Sequence, residues 1–152
     1  MRPVIKPGAV FGLPSQFEGR ARDFFCYSVT SLPLAAAGNQ NPTFSVQNDS
    51  DFVALGLSGI ARDPAAPATR FLDPAITIQI LDQGAGRNLF SQPLDWASIV
   101  GDAEDIPYWP EAKIINRAST VTVQLASLEA AGGQDYNVRL AVVGFKVFVQ
   151  GG

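Results

Sequence analysis

The chain has 152 residues, of which 47% are hydrophobic and 16% charged, with a formal net charge of -3 and no histidine. That length suits one domain with its own core, without staples from disulfides or metal. The lack of histidine excludes Ser-His-Asp and Cys-His catalysis and removes the commonest metal ligand; the acidic pI of 4.8 leaves no basic footprint for nucleic acid, and no apolar run nears the roughly 18 to 20 residues of a membrane span.

Met1 to Glu18 is nearly uncharged and is interrupted by Pro3, Pro7 and Pro14. Those prolines deny it a helix or a central strand, and no apolar stretch in it has the length of a secretory signal core. It is expected to be an extended arm over 1–18 that wraps its own domain or lies on a neighbour, with Val4, Ile5, Val10 and Phe11 as its contacts. One β-sandwich domain is expected over 19–152.

In that domain, Asp23 to Val29 is aromatic and β-branched and reads as a strand, followed by a loop from Leu32 to Asn41. Thr43 to Gln47 begins a second strand, Asn48 to Asp51 punctuate it, and Phe52 to Ile60 starts a third. There Val53, Leu55 and Leu57 alternate with Ala54, Gly56 and Ser58, an apolar face against a small one. Arg62 to Arg70, with Pro64 and Pro67, is expected to be irregular. Ile76, Ile78 and Ile80 then alternate cleanly with Thr77 and Gln79, and Asp82 to Arg87 turns the chain into a return strand from Asn88 to Ser91, a hairpin. The stretch Pro93 to Gly101 has room for one helical turn with Asp95 as N-cap.

Glu111 to Asn116 and Thr120 to Leu125 read as two more strands, and the last runs from Tyr136 to Gln150. In it Val138, Leu140 and Val142 share one parity, and Val143, Phe145, Val147 and Val149 take the other. Gly144 stands at the switch, as an inserted bulge residue would, and such a bulge would let one long strand serve both sheets. About eight strands with turns every 8 to 12 residues predict an all-β, two-sheet antiparallel sandwich of jelly-roll type, with an immunoglobulin-like sandwich as the alternative.

Little in the chain points to chemistry, and it is expected not to be an enzyme, with no cofactor and no metal. Cys26, the only cysteine, sits in an aromatic strand that offers no cation to activate a thiolate, and is expected to be a small buried hydrophobe. Asp49 with Asp51, and Asp102, Glu104 and Asp105, lack the spacing of a calcium loop and read as solvated turn acids. Gly84-Ala85-Gly86-Arg87 lacks the Lys-Ser or Lys-Thr of a phosphate loop. Trp96, Tyr108 and Trp109, the last two framed by Pro107 and Pro110, could stack on a sugar ring, but residues of this size more often fill a core or an oligomer contact. A charged fraction of 16%, against about 25% in ordinary soluble domains, points to surface hidden against other protein chains, although a large core would produce the same count.

Asn48 to Phe52 opening a strand, Ile76 to Ile80 turning through Gly84 to Arg87, Arg117 to Leu125, and the closing Val138 to Phe148 resemble the small virion structural proteins of tailed bacteriophages, over most of 48–149. Within that group the chain looks most like jelly-roll cement or decoration proteins. The resemblance implies a protein made in the host cytoplasm that resides on the capsid surface of the virion. It would bind as a homotrimer across copies of the major capsid protein, without catalysis, nucleic acid or membrane. It brings no active-site motif. Val4, Ile5, Val10, Phe11, Trp96, Tyr108 and Trp109 are the expected partner contacts. The proline-rich arm equally suits a neck, tail or baseplate component, and a carbohydrate-binding jelly roll is the reading from another class.

Overall fold

The two cleanest alternations in the sequence form the middle of one sheet. The computed structural model describes residues 20–101 and 107–148, apart from the side chains of 30–32. In chain order the elements are β1 (Arg22–Leu34), β2 (Asn39–Gln40), β3 (Thr43–Ser45), β4 (Ser50–Asp63), β5 (Ala66–Phe71), β6 (Ile76–Asp82), β7 (Arg87–Asn88) and β8 (Leu94–Asp95). After them come α1 (Trp96–Ile99), β9 (Val100–Gly101), β10 (Tyr108–Ile115), β11 (Thr120–Ser127) and β12 (Tyr136–Phe148). Sheet A has the order β1-β12-β4-β10, with β5 and β9 also on β4; sheet B has the order β2-β11-β6-β7, with β3 beside β11 and β8 beside β6. All ladders are antiparallel except the two-residue pairing of β4 with β9. The fold is a two-sheet antiparallel β-sandwich.

Its main core lies between the sheets. Ile76, Ile78 and Ile80 of β6 and Val121, Val123 and Leu125 of β11 meet Phe52, Leu57 and Ala61 of β4 and Val138, Leu140 and Val142 of β12. Tyr27 from β1 adds an aromatic knot: its ring centroid is 4.8 Å from Phe52 in an edge contact and 5.0 Å from Phe44 in a stacked one. Its hydroxyl accepts the Gln47 backbone N–H at 3.0 Å, so a buried tyrosine also holds the end of the β3 segment.

Several sequence expectations are corrected. The stretch 62–70 is not irregular throughout: after a tight turn in which the Asp63 carboxylate accepts the Ala65 N–H, β5 returns along β4 with Asp63 opposite Ala66. Pro67 is tolerated because β5 is an exposed outer strand. β1 runs on to Leu34, into the first three positions of the expected loop, past a register irregularity between Val29 and Leu32. The return strand after the 82–87 turn is only Arg87–Asn88, because the chain then leaves sheet B: the Gln79 side-chain amide donates to the Phe90 carbonyl and accepts its N–H. The helical turn exists, and Asp95 sits at its N-cap position, but makes no capping hydrogen bond through its side chain.

The parity change in the last strand has a different cause from the expected one. The pairing of β12 with β4 does shift register between Val143 and Gly144, yet the extra residue belongs to β4. Gly56 faces Val143 and Ala54 faces Gly144, which leaves Leu55 without a residue opposite. β12 stays in sheet A and keeps its alternation. Val138, Leu140 and Val142 point into the sandwich, while Val143, Phe145 and Val147 point out of it. In β4 the same bulge splits the expected apolar face, sending Val53 and Leu55 outward and Leu57 inward.

Candidate binding surface

Because the bulge turns Val53 and Leu55 of β4 onto the outward face, where the unbroken alternation of β12 places Phe145 and Val147, sheet A is apolar on both faces. Cross-strand register assembles the outward side chains into rows. One row runs Phe24, Phe145, Val53, Ile114 across β1, β12, β4 and β10; the adjacent row runs Cys26, Val143, Gly56, Tyr108. Phe24 and Phe145 meet edge to face with centroids 6.1 Å apart. Val53, Leu55 and Val147 form a cluster of their own with Ala112, Ile114 and Phe145. Its rim is polar: Arg22 stands opposite Val147, and Val147 opposite Asp51.

Exposure follows position in the rows. Phe24, at the β1 end, is 60% exposed, and Tyr108, at the β10 end, is 36% exposed, whereas Val53, on the central strand β4, and Val147, on the neighbouring strand β12, have no solvent-exposed surface. Fully burying one valine- or phenylalanine-sized side chain stabilises by about 1.5–3 kcal/mol. Covering the exposed ends of these rows would therefore drive association. Among the described residues β1 is also an edge strand of sheet A, and the outer backbone groups of such a strand are a template that a partner could pair.

Of the aromatic residues singled out in the sequence, the structure places only Tyr108 on this surface. Trp96 and Trp109 are interior, 4% and 8% exposed. Trp96 projects from α1 against β4, where a side chain at Gly59 would meet its ring at 3.1 Å. Trp109 packs edge-on to Phe90 with centroids 5.6 Å apart, and its indole N–H is buried without a hydrogen-bond partner among the described residues. A hollow of about 240 Å³ is lined by Trp96, Phe71, Arg70 and Pro107 but by neither Tyr108 nor Trp109. The three rings therefore do not make one stacking platform. Val4, Ile5, Val10 and Phe11 lie outside the described residues, as do Asp102, Glu104 and Asp105.

Cys26 is exposed rather than buried, because β1 alternates and the inward positions are held by Phe25, Tyr27 and Val29. It pairs with Val143 on the outward face, and partial burial pushes its thiol pKa up, which leaves it a poor nucleophile. Asp49 and Asp51 are engaged rather than merely solvated. The Asp51 carboxylate accepts the Arg117 N–H at 2.9 Å and lies 3.7 Å from the Arg20 guanidinium.

Sequence reading missed Lys146. It is 6% exposed, on the inward face of β12 opposite Phe52, and its ammonium lies over the Phe25 ring at 4.7 Å and the Phe148 ring at 5.6 Å. It donates to the Gln47 side chain and stands 3.4 Å from the Asp49 carboxylate. A buried lysine between two rings with a carboxylate at the mouth closes this end of the sandwich. Lys146→Ala is expected to cost about 1–2 kcal/mol, and Lys146→Met, which keeps the aliphatic stem, less than about 1 kcal/mol, since the exposed Asp49 is not stranded in the interior. Urea unfolding of both variants checks the order.

The Ser50 hydroxyl, which donates to Asp49 at 3.0 Å, and then Lys146 hold the Asp49 carboxyl below the usual range, against the opposing effect of desolvation. A carboxyl whose folded pKa is depressed stabilises above its unfolded pKa of about 3.9 and loses that contribution as pH falls through the folded value. The urea midpoint is thus expected to fall less steeply below about pH 4 in Asp49→Asn than in the parent.

Comparison of the chain with known protein families and with curated proteins finds no match.

Proposed function

We propose that this chain is a virion structural protein of a tailed bacteriophage. On this reading it is a jelly-roll cement or decoration protein that binds the outside of the capsid as a trimer and stabilises the shell without catalysis or cofactor. The observation that supports it best is the second apolar face of sheet A, whose rows end in the exposed rings of Phe24 and Tyr108. A charge-poor sandwich with such a face gains by burying it against protein, and on a lattice many modest contacts add through multivalency. The partners in this reading are other copies of the chain and the major capsid protein. A neck, tail or baseplate position uses the same surface and differs in symmetry, a ring of higher order in place of a trimer. With Trp96 and Trp109 inside the domain, no observation favours the carbohydrate-binding reading.

The experiment is co-sedimentation with capsid shells assembled without the protein. Wild-type chain is expected to pellet with the shells. The double variant Phe24→Ser, Tyr108→Ser should bind about tenfold or more weakly, because two aromatic anchors carry more than 1.4 kcal/mol between them. Both substitutions lie at exposed positions, so the fold survives. Equal binding of variant and parent, or no binding by the parent, would refute the assignment.

A further inference from the structure

We infer that the end of the sandwich formed by residues 35–38, 72–75 and 128–135 is a second docking surface, for a protein partner that offers an apolar seat rimmed by lysine or arginine. The inference rests on the virion reading above, and on that reading the partner is the outer surface of the shell. Exposure is the first support. Among the described residues, the large hydrophobic side chains that stand furthest into solvent are Leu72, 77% exposed, and Leu128, 63% exposed. They belong to adjoining loops, since the Leu128 N–H donates to the Ala75 carbonyl at 2.8 Å. Ala35, Ala37, Ala130 and Ala131 are exposed in the same loop cluster. A leucine exposed singly is ordinary, but two on neighbouring loops among exposed alanines make the kind of patch that meets protein.

The loops are held rather than loose, which is the second support. At the end of β11, Ser127 donates its N–H to the Gly38 carbonyl at 2.9 Å, and the Asp135 carboxylate accepts the Ala36 N–H at 2.8 Å. Between the other two loops stands the buried Tyr136. Its hydroxyl accepts the Ala75 N–H at 3.2 Å and donates to the Glu129 carboxylate at 2.8 Å. Each loop is thus bonded to another, so little freedom is lost when the leucines are covered.

Charge names the chemistry of the partner. The three loops contain Asp73, Glu129 and Asp135 and no lysine or arginine; the nearest cations along the chain, Arg70 and Arg139, belong to β5 and β12. The same end of a second copy would set carboxylates against carboxylates, whereas a basic rim complements them and fixes the register. Position gives the rest. From Tyr136, beside this end, to Phe145, in the row of Phe24, β12 spans about 30 Å at about 3.3 Å per residue. The two surfaces are therefore separate. A cyclic trimer joined through the sheet A face holds its three loop ends at one height along the axis, where a shell can engage all of them.

Co-sedimentation with shells assembled without the protein, paired with sedimentation velocity of each chain, is the test. The double variant Leu72→Ser, Leu128→Ser is expected to stay trimeric like the parent and to bind the shells about tenfold or more weakly. Asp73→Lys, which leaves the leucines in place, is expected to stay trimeric and to bind severalfold more weakly at low salt, with the difference closing as salt rises. A leucine variant that binds as the parent does would overturn the inference and leave the virion reading standing, whereas a parent that does not bind refutes that reading and the inference with it. Equal or tighter binding by Asp73→Lys would overturn the basic rim, and decides alone if the leucine variant does not fold. A parent that grows beyond the trimer with concentration, beside a leucine variant that does not, would give the seat to another copy and overturn the shell as partner.

Discussion

Gly144→Ala is expected to lower the stability of the domain by about 2–4 kcal/mol, read as a fall in the urea midpoint at unchanged slope. The reason is the bulge in β4. A Cβ at Gly144 would overlap the carbonyl oxygen of Val53 and stand 3.0 Å from the Phe52 ring. The first obstacle is backbone, which cannot rotate aside as a side chain can. Gly144 also lies between the position that faces Gly56 and the one that faces Phe145's partner Val53. Relief would thus require β12 to slide or lift from β4, and a slide of one residue would exchange the inward and outward sets of both strands. A loss below about 0.5 kcal/mol would mean that the two strands approach less closely than described.

Phe52→Ala is expected to cost about 3–5 kcal/mol. Phe52 is fully buried, at the junction of the bulge, the Tyr27 knot and the lysine that closes the sandwich. Its ring meets Tyr27 at 4.8 Å edge-on, and it lies opposite both Lys146 and Ile115 in register. Truncation removes the contacts and leaves a cavity whose walls, two long ladders, have little freedom to collapse. Phe52→Leu should lose less than half as much, since it refills most of the volume. If both substitutions cost the same, the aromatic contacts rather than the filled volume hold this end of the core.

The fold class was legible because the sandwich interior writes itself as period two. Ile76 to Ile80 and Val121 to Leu125 alternate without interruption and lie opposite each other in sheet B. The outward face of sheet A was harder to read, for a physical reason. A strand buried on both faces reads as a near-continuous apolar run, and Leu140 to Phe145 is such a run. Without its neighbours, a switch of parity within it looks the same whether a residue is inserted there or a second apolar face begins. The bulge at Leu55 left no mark, since Val53, Leu55 and Leu57 keep a regular alternation in sequence while the backbone breaks it.

Single side chains were less legible still. An aromatic strand gives no sign of which parity faces in, and the larger inward neighbours Phe25 and Tyr27 left Cys26 outside. Lys146, in an otherwise apolar strand end, had the one available signal, a charge at a core parity with Phe145 before it and Val147 and Phe148 after it. Tyr108 and Trp109 are adjacent, so a strand must send them to opposite faces. The sequence offered no means of telling that the outward one was Tyr108.

Sedimentation velocity on the wild-type chain and on the Phe24→Ser, Tyr108→Ser variant tests most directly whether the outward face of sheet A is a protein-binding surface. The wild-type chain is predicted to sediment as a trimer of its 16.2 kDa protomer, and the variant to shift toward monomer at the same concentration. A wild-type chain that remains monomeric at every concentration, or a variant that assembles as the parent does, would contradict it.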